Sequence, residues 1–203
     1  IHTHVDMDAF ENPNVESRIR QGVTLEVGGN CGGSPGPWTE EEFQQTREQY
    51  KSRYGVDIEF RDPAGFLVGI DRLRPTVNIA TLVGNGNLRS LAVGEDDRPA
   101  TEAEIAVMKE ELRKAIAGGA VGLSSGLEYT PSGFARVDEL IALASVMKGT
   151  GCPYASHMRN EDDRVLGAIE ELFQVGRMAG VPVQISHLKA QGQRNHWKQK
   201  VIL

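Results

Sequence analysis

Residues 153–187 read PYASHMRNEDDRVLGAIEELFQVGRMAGVPVQISH, and this stretch decides the fold. Pro153 to His157 is a short apolar run that ends on a histidine, and Val181 to His187 is a second. Between them Val165, Ile169, Leu172 and Phe173 recur at helical spacing and predict a buried stripe. Asn160-Glu161-Asp162-Asp163 crowds acids where that helix should start, the end its dipole favours for negative charge, and Gly180 marks its stop. The two strands are apolar throughout rather than alternating, as expected of parallel strands covered on both faces. Strand, helix and strand in this order make one unit of a parallel α/β sheet.

Outward from this unit the pattern repeats. Ala120 to Ser124 is another strand, running into the loop Ser125 to Gly133, and a helix near 137–149 links it to Pro153. Thr101 and Glu104 form a capping box ahead of Ile105, Met108, Leu112 and Ile116, a helix stopped by Gly118-Gly119. Val77 to Val83 predicts a strand with Gly84-Asn85-Gly86-Asn87 as its turn, and short helical turns are expected over 55–76. Val23 to Val27 predicts a strand that breaks into a glycine-rich loop over 28–37. Thr39 with Glu42 caps a helix carrying Phe43, Tyr50 and Tyr54. His2-Thr3-His4 is read as the first strand, followed by helical spacing of Val15 and Ile19 up to Gly22. Six strands alternating with helices predict an α/β (β/α)8 TIM-type barrel, present as an incomplete barrel of about strands 1–6. Because a strand opens the sequence and Val201-Ile202-Leu203 closes it on an apolar run, residues 1–203 are expected to be a partial catalytic barrel domain.

Composition narrows the function classes. With 39% hydrophobic and 25% charged residues, the 203 residues suffice for one substantial core. A net charge of -6 with no basic stripe argues against a nucleic-acid partner. No apolar run approaches a membrane span and no signal-peptide pattern opens the chain, so no membrane partner and a cytoplasmic location are expected. The oligomeric state is not legible. Two cysteines, Cys31 and Cys152, are too few for a disulfide framework.

The chemistry lies at strand ends. In an extended strand His2 and His4 project from one face. Cys31 sits in the glycine-rich loop, and His157 and His187 close two further strands. Each has a bland alternative: an exposed terminal pair, a packed thiol, satisfied core histidines. Together the five would converge if the sheet closes, and imidazole with thiolate suits Zn2+ better than a hard, oxygen-seeking ion. A zinc with an open position lowers the pKa of bound water toward ~7, which amide hydrolysis can use. Cys152, before Pro153 at the far end of its strand, is read as structural, and His196 as solvated. Asp6 continues the face of the histidine pair and could orient a histidine.

His2-Thr3-His4, Gly29-Asn30-Cys31-Gly32, Gly122 to Tyr129, Ser156-His157-Met158-Arg159 and Ser186-His187-Leu188-Lys189, in this order, resemble the N-acyl-D-amino-acid deacylase (D-aminoacylase) family of the amidohydrolase superfamily. Glu11 through Gly22 also resembles that family, and the likeness covers nearly the whole chain. It implies a zinc-dependent hydrolase that cleaves the amide of a small-molecule N-acyl-D-amino acid. It implies one tight zinc held by Cys31, His157 and His187, and a second, weaker position of His2 and His4 sharing Cys31. It also implies a flanking small β-domain and a general-base aspartate beyond Leu203, so the catalytic residue is left unassigned. Lys189, two residues past His187, and Tyr129 match positions that would receive the substrate carboxylate. Two departures concern substrate fit: Asn85 stands where a histidine is expected, and Gly33 where a larger apolar residue is usual. The alternatives are a cyclic-amide or peptide-type hydrolase of the same superfamily, or a catalytically silent metal-binding fragment.

Overall fold

The computed structural model describes residues 2–203. Two short helices, α1 (Asp8–Glu11) and α2 (Glu16–Ile19), lead to β1 (Leu25–Gly28). Helices α3 (Glu40–Tyr54) and α4 (Pro63–Leu73) precede β2 (Asn78–Thr81) and β3 (Val83–Gly84). Helices α5 (Asn85–Ala92) and α6 (Glu102–Ala117) lead to β4 (Leu123–Gly126), and α7 (Val137–Ala144) to β5 (Tyr154–His157). Then come α8 (Val165–Ala179), β6 (Val183–Ile185), a 3-10 segment over Gln193–Lys198 and α9 (Gln199–Ile202). Among the described residues no helix is long and apolar enough to cross a membrane.

Every strand pair is parallel: β1 with β2, and β3-β4-β5-β6 in chain order. The two sheets meet at Leu82. Its N–H donates to the Gly28 carbonyl at 3.0 Å, while Thr81 accepts from Val121 and Val83 donates to Gly122, each at 2.9 Å. One extended segment thus turns its first half toward β1 and its second toward β4. The strand expected over 77–83 is therefore divided in two. The strand expected at His2-Thr3-His4 is not formed: that segment meets β1 at one residue only, where Thr3 donates from N–H (3.1 Å) and Oγ1 (3.2 Å) to the Val27 carbonyl. A single rung cannot propagate a ladder before Asp8 N–H turns back onto the Val5 carbonyl at 2.6 Å.

Helix starts follow their capping chemistry. Thr39 and Thr101 form capping boxes with Glu42 and Glu104. The Arg98 guanidinium against Glu104 holds that carboxyl down at about 2. Residues 55–76, expected as short turns, instead contain the eleven-residue α4, with Asp62 as N-cap and Pro63 in the first turn. Its glycines reflect close packing, for a Cβ on Gly65 would stand 2.7 Å from the Phe60 Cβ. Helix α8 starts at Val165, after the acidic turn, and buries Val165, Ala168, Leu172, Val175 and Ala179 at steps of three and four. Phe173, expected in that stripe, is 40% exposed.

The main core lies where α5 to α8 cover the sheet, with Val83, Leu88, Met108, Leu112, Leu123, Leu143 and Tyr154 among its buried residues. Cys152 packs at its margin. A second, aromatic core under α1, α3 and α4 gathers Phe43, Phe60, Phe66 and Ile70, with Phe10 and Trp38 against them. Arg89 of α5 is fully buried and bonds Glu139 of α7 at 2.5 Å and the Arg98 carbonyl at 2.9 Å, tying the helix layer together.

Candidate metal centre

The site is built at the carboxyl ends of the strands, where loops of a parallel sheet converge. After Gly28 the chain folds back over β3 and β4, so tightly that backbone meets backbone. A Cβ on Gly126 would lie 2.0 Å from the Cys31 carbonyl oxygen, and one on Gly84 would lie 2.3 Å from that of Gly32. Only glycine fits there. The loop is pinned by hydrogen bonds. Gly32 N–H donates to Ser124 Oγ at 3.1 Å, Gly86 N–H to the Gly32 carbonyl at 3.0 Å, and Ser34 N–H to Asn87 Oδ1 at 2.8 Å. Asp6, expected to orient a histidine, instead accepts from Gly29 N–H at 2.6 Å, and its burial raises its pKa to about 6. These bonds hold Cys31 at φ 53°, a conformation uncommon for a residue other than glycine.

So placed, the Cys31 Sγ lies 3.6 Å from His2 Nε2 and 3.6 Å from His187 Nε2. A tetrahedral zinc with sulfur at ~2.3 Å and nitrogen at ~2.0–2.1 Å sets its sulfur and nitrogen ligands about 3.6 Å apart. The two sulfur–nitrogen spacings and the chemistry of this triple therefore fit zinc. Burial, with the neighbouring imidazoles, pushes His2 toward its neutral, ligating form, and its buried Nδ1 has no hydrogen-bond partner among the described residues. The same burial, reinforced by Glu161, pushes the Cys31 thiol up, so a cation is what would favour the thiolate.

A second group shares His187. His157, Glu161 and His187 bring ligand atoms within 4.8 Å of one another, and the two rings stand edge to face at 4.4 Å. His157 Nε2 is 3.2 Å from Glu128 and 4.0 Å from Glu161, while its Nδ1 is buried without a partner among the described residues. The grouping thus differs from the one the resemblance implies: Cys31 is joined by His2 and His187, and His157 by Glu161 and His187. His4 belongs to neither triple; it is exposed, with its ring 5.4 Å from that of His2.

The two substrate candidates flank these groups. The Tyr129 ring packs edge-on to His157 at 4.7 Å, and the side chain is 51% exposed. Lys189 places its ammonium against Glu161. Asn85 is fully buried and accepts the hydroxyl of Ser132, which itself accepts Gly126 N–H at 2.9 Å, so it braces the loop that carries Tyr129. A Cβ on Gly33 would meet nothing within 4 Å. A cleft of about 280 Å³ opens beside Cys31 and Tyr129, lined also by Glu42, Asn87, Ser90 and Glu95. A larger cleft of about 700 Å³ between Phe10, Phe60, Arg61 and Arg72 contains no histidine or cysteine and lies apart from the strand ends.

Glu161 is the buried acid of the candidate site that sequence reasoning left unassigned. It looks like one acid among three in Glu161-Asp162-Asp163, yet it is 1% exposed, whereas its two neighbours face solvent. Burial alone would raise its pKa; hydrogen bonds from Lys189 and His187 outweigh it and hold the carboxyl below its ordinary value. The available signal was its position four residues after a strand-end histidine.

No family model matches the chain. Over its whole length it is 35% identical to the D-aminoacylase of Alcaligenes xylosoxydans xylosoxydans, of which it spans 41%. It superposes with a TM-score of 0.87, at 32% identity, on a D-aminoacylase crystal structure that defines a novel subset of amidohydrolases, covering 98% of this chain and 42% of that one. The N-acyl-D-glutamate deacylase of Bordetella bronchiseptica, solved with zinc and a phosphonate mimic of the tetrahedral intermediate, gives 0.87 at 34% identity, over 99% and 42%. A parallel α/β sheet whose carboxyl-end loops gather nitrogen and sulfur atoms that could hold a metal, and this likeness, put the chain among the amidohydrolases. Within them it belongs to the N-acyl-D-amino-acid deacylase family, and it spans about two fifths of the length of the curated relatives it matches.

Proposed function

We propose that the protein containing these residues hydrolyses the amide bond of N-acyl-D-amino acids with the help of zinc, releasing a D-amino acid and a carboxylate. The observation that carries this reading is the triple of His2, Cys31 and His187, whose donor atoms stand at zinc-ligand spacing beside Lys189 and Tyr129. His157, its ring 4.4 Å from that of His187, extends the donor set toward a second position, with His4 at its margin. When bound, zinc would supply Lewis-acid polarisation of the amide carbonyl and acidify water. The chain's own residues bind and orient. Lys189 offers the substrate carboxylate an ammonium, because an anion entering a half-closed site must be paired or hydrogen-bonded. Tyr129, over the His157 ring and still exposed, offers a hydroxyl from the opposite loop. Residues 1–203 are read as part of the catalytic (β/α)8 barrel domain, supported by parallel strands that neighbour one another in chain order.

The test uses the full-length protein with paired N-acetyl-D- and N-acetyl-L-amino acids, before and after chelation and zinc return. Cleavage of the D series, lost on chelation and restored by zinc, is expected. Turnover of the D series untouched by chelation would contradict the reading. Cleavage of cyclic amides alone would favour a cyclic-amide hydrolase, and zinc binding without turnover a silent metal-binding protein.

A further inference from the structure

Glu161 lies under the site and touches both of its halves. Its Oε1 is 2.6 Å from His187 Nδ1, and its Oε2 contacts the Lys189 ammonium and is 3.1 Å from Gln191 Nε2. The segment is fixed twice, since Gln191 N–H also donates to the Glu161 carbonyl at 2.6 Å. At 2.6 Å from a carboxylate oxygen, Nδ1 must carry the proton of His187. The Lys189 ammonium, 3.4 Å from the same nitrogen, then cannot donate there and is left to Glu161. With its proton on Nδ1, His187 presents a bare Nε2, the atom 3.6 Å from Cys31.

We propose that Glu161 is a positioning residue shared by the metal half and the substrate half of the site: Oε1 fixes the tautomer of His187, and Oε2 holds the Lys189 ammonium where the substrate carboxylate arrives. The second clause rests on the function proposed above; the first rests on geometry alone. Carboxylate partners of metal-ligating histidines orient the ring and raise its basicity, and their loss typically costs ~10- to 100-fold in metal affinity. The double duty also explains why an acid is needed. His187 Nδ1–H, the Lys189 ammonium and the Gln191 amide are all donors, and only a carboxylate accepts on both oxygens.

Glu161→Gln in the full-length protein sets up the test, because its single carbonyl oxygen can serve only one side. Three readouts apply: zinc affinity by competition with a chelating dye, the His187 tautomer by 15N-histidine NMR, and KM against kcat for N-acetyl-D-amino acids and their amidated counterparts. One outcome expected is zinc affinity lower by about 10- to 100-fold with His187 shifted off the Nδ1–H tautomer. The other is an unchanged tautomer with KM raised for the carboxylate substrates and not for the amides. Glu161→Asp, which keeps the charge, should recover part of whichever is lost. If Glu161→Gln matches the parent in zinc affinity, tautomer and the KM ratio of the two substrates, the proposal is wrong. Because the tautomer is also read in metal-free protein, a parent that bound no zinc would refute the proposed function while the His187 statement would still be decided by NMR.

Discussion

Cys31 joins the most demanding backbone of the site to its most reactive atom. Its φ of 53° is unusual for a side-chain-bearing residue, and the loop bonds that impose it aim the thiol between two imidazoles. If zinc lies there, the sulfur is coordinated and shielded, and chelation should release it. Alkylation at pH about 9, near the reference thiol pKa of ~8.5, should therefore be slow in zinc-loaded protein and accelerate at Cys31 alone on adding a chelator. Cys152, packed at the margin of the main core, provides the internal control. Equal rates at Cys31 with and without chelator would count against ligation. At this scale the sequence was readable where residue type is rare and chemically marked, as for His2, Cys31, His157 and His187. It was not readable for Glu161, because which of three adjacent acids turns inward is decided by the docking of the 187–191 segment and not by local spacing.

At the scale of elements, signals that act within a few residues were legible. The two capping boxes sit where Thr39 and Thr101 announce them, and α6 and α8 end at Gly118 and Gly180 as expected, whereas α2 ends at its cap Arg20, short of the expected Gly22. Signals that depend on neighbours were not. Nothing local says that 78–84 must face β1 with one half and β4 with the other, or that His2-Thr3-His4 meets β1 at the Val27 carbonyl and not along a ladder. Helix α4 was missed because Gly65 and Gly69 lower helix propensity, although the close packing against Phe60 and Phe10 favours them. The same dependence governs the Arg89–Glu139 pair, which links α5 to α7 with both side chains almost wholly buried. Arg89→Met would strand a buried carboxylate and should destabilise the fold by ~3–5 kcal/mol, measured by urea unfolding. Arg89→Met with Glu139→Leu should recover most of that loss. A loss under about 1 kcal/mol for the single variant would show that the pair is solvated, as surface pairs are.

Across the molecule, the strands neighbour one another in chain order, and the order carries function because it brings residues far apart in sequence to one rim. His2 and His187 face each other across Cys31 with rings 5.1 Å apart, though 185 positions separate them (187 minus 2). The sequence conveyed that such a rim should exist; which donor atoms come within ligating distance of one another depended on how the strand ends curl and is visible only in three dimensions. The central claim is that this rim binds zinc through sulfur and nitrogen, and X-ray absorption at the zinc edge of the loaded full-length protein tests it most directly. The predicted result is a sulfur shell at ~2.3 Å beside nitrogen or oxygen at ~2.0–2.1 Å, with the sulfur shell gone in Cys31→Ser. An all-oxygen shell, or a sulfur shell that survives Cys31→Ser, would contradict it.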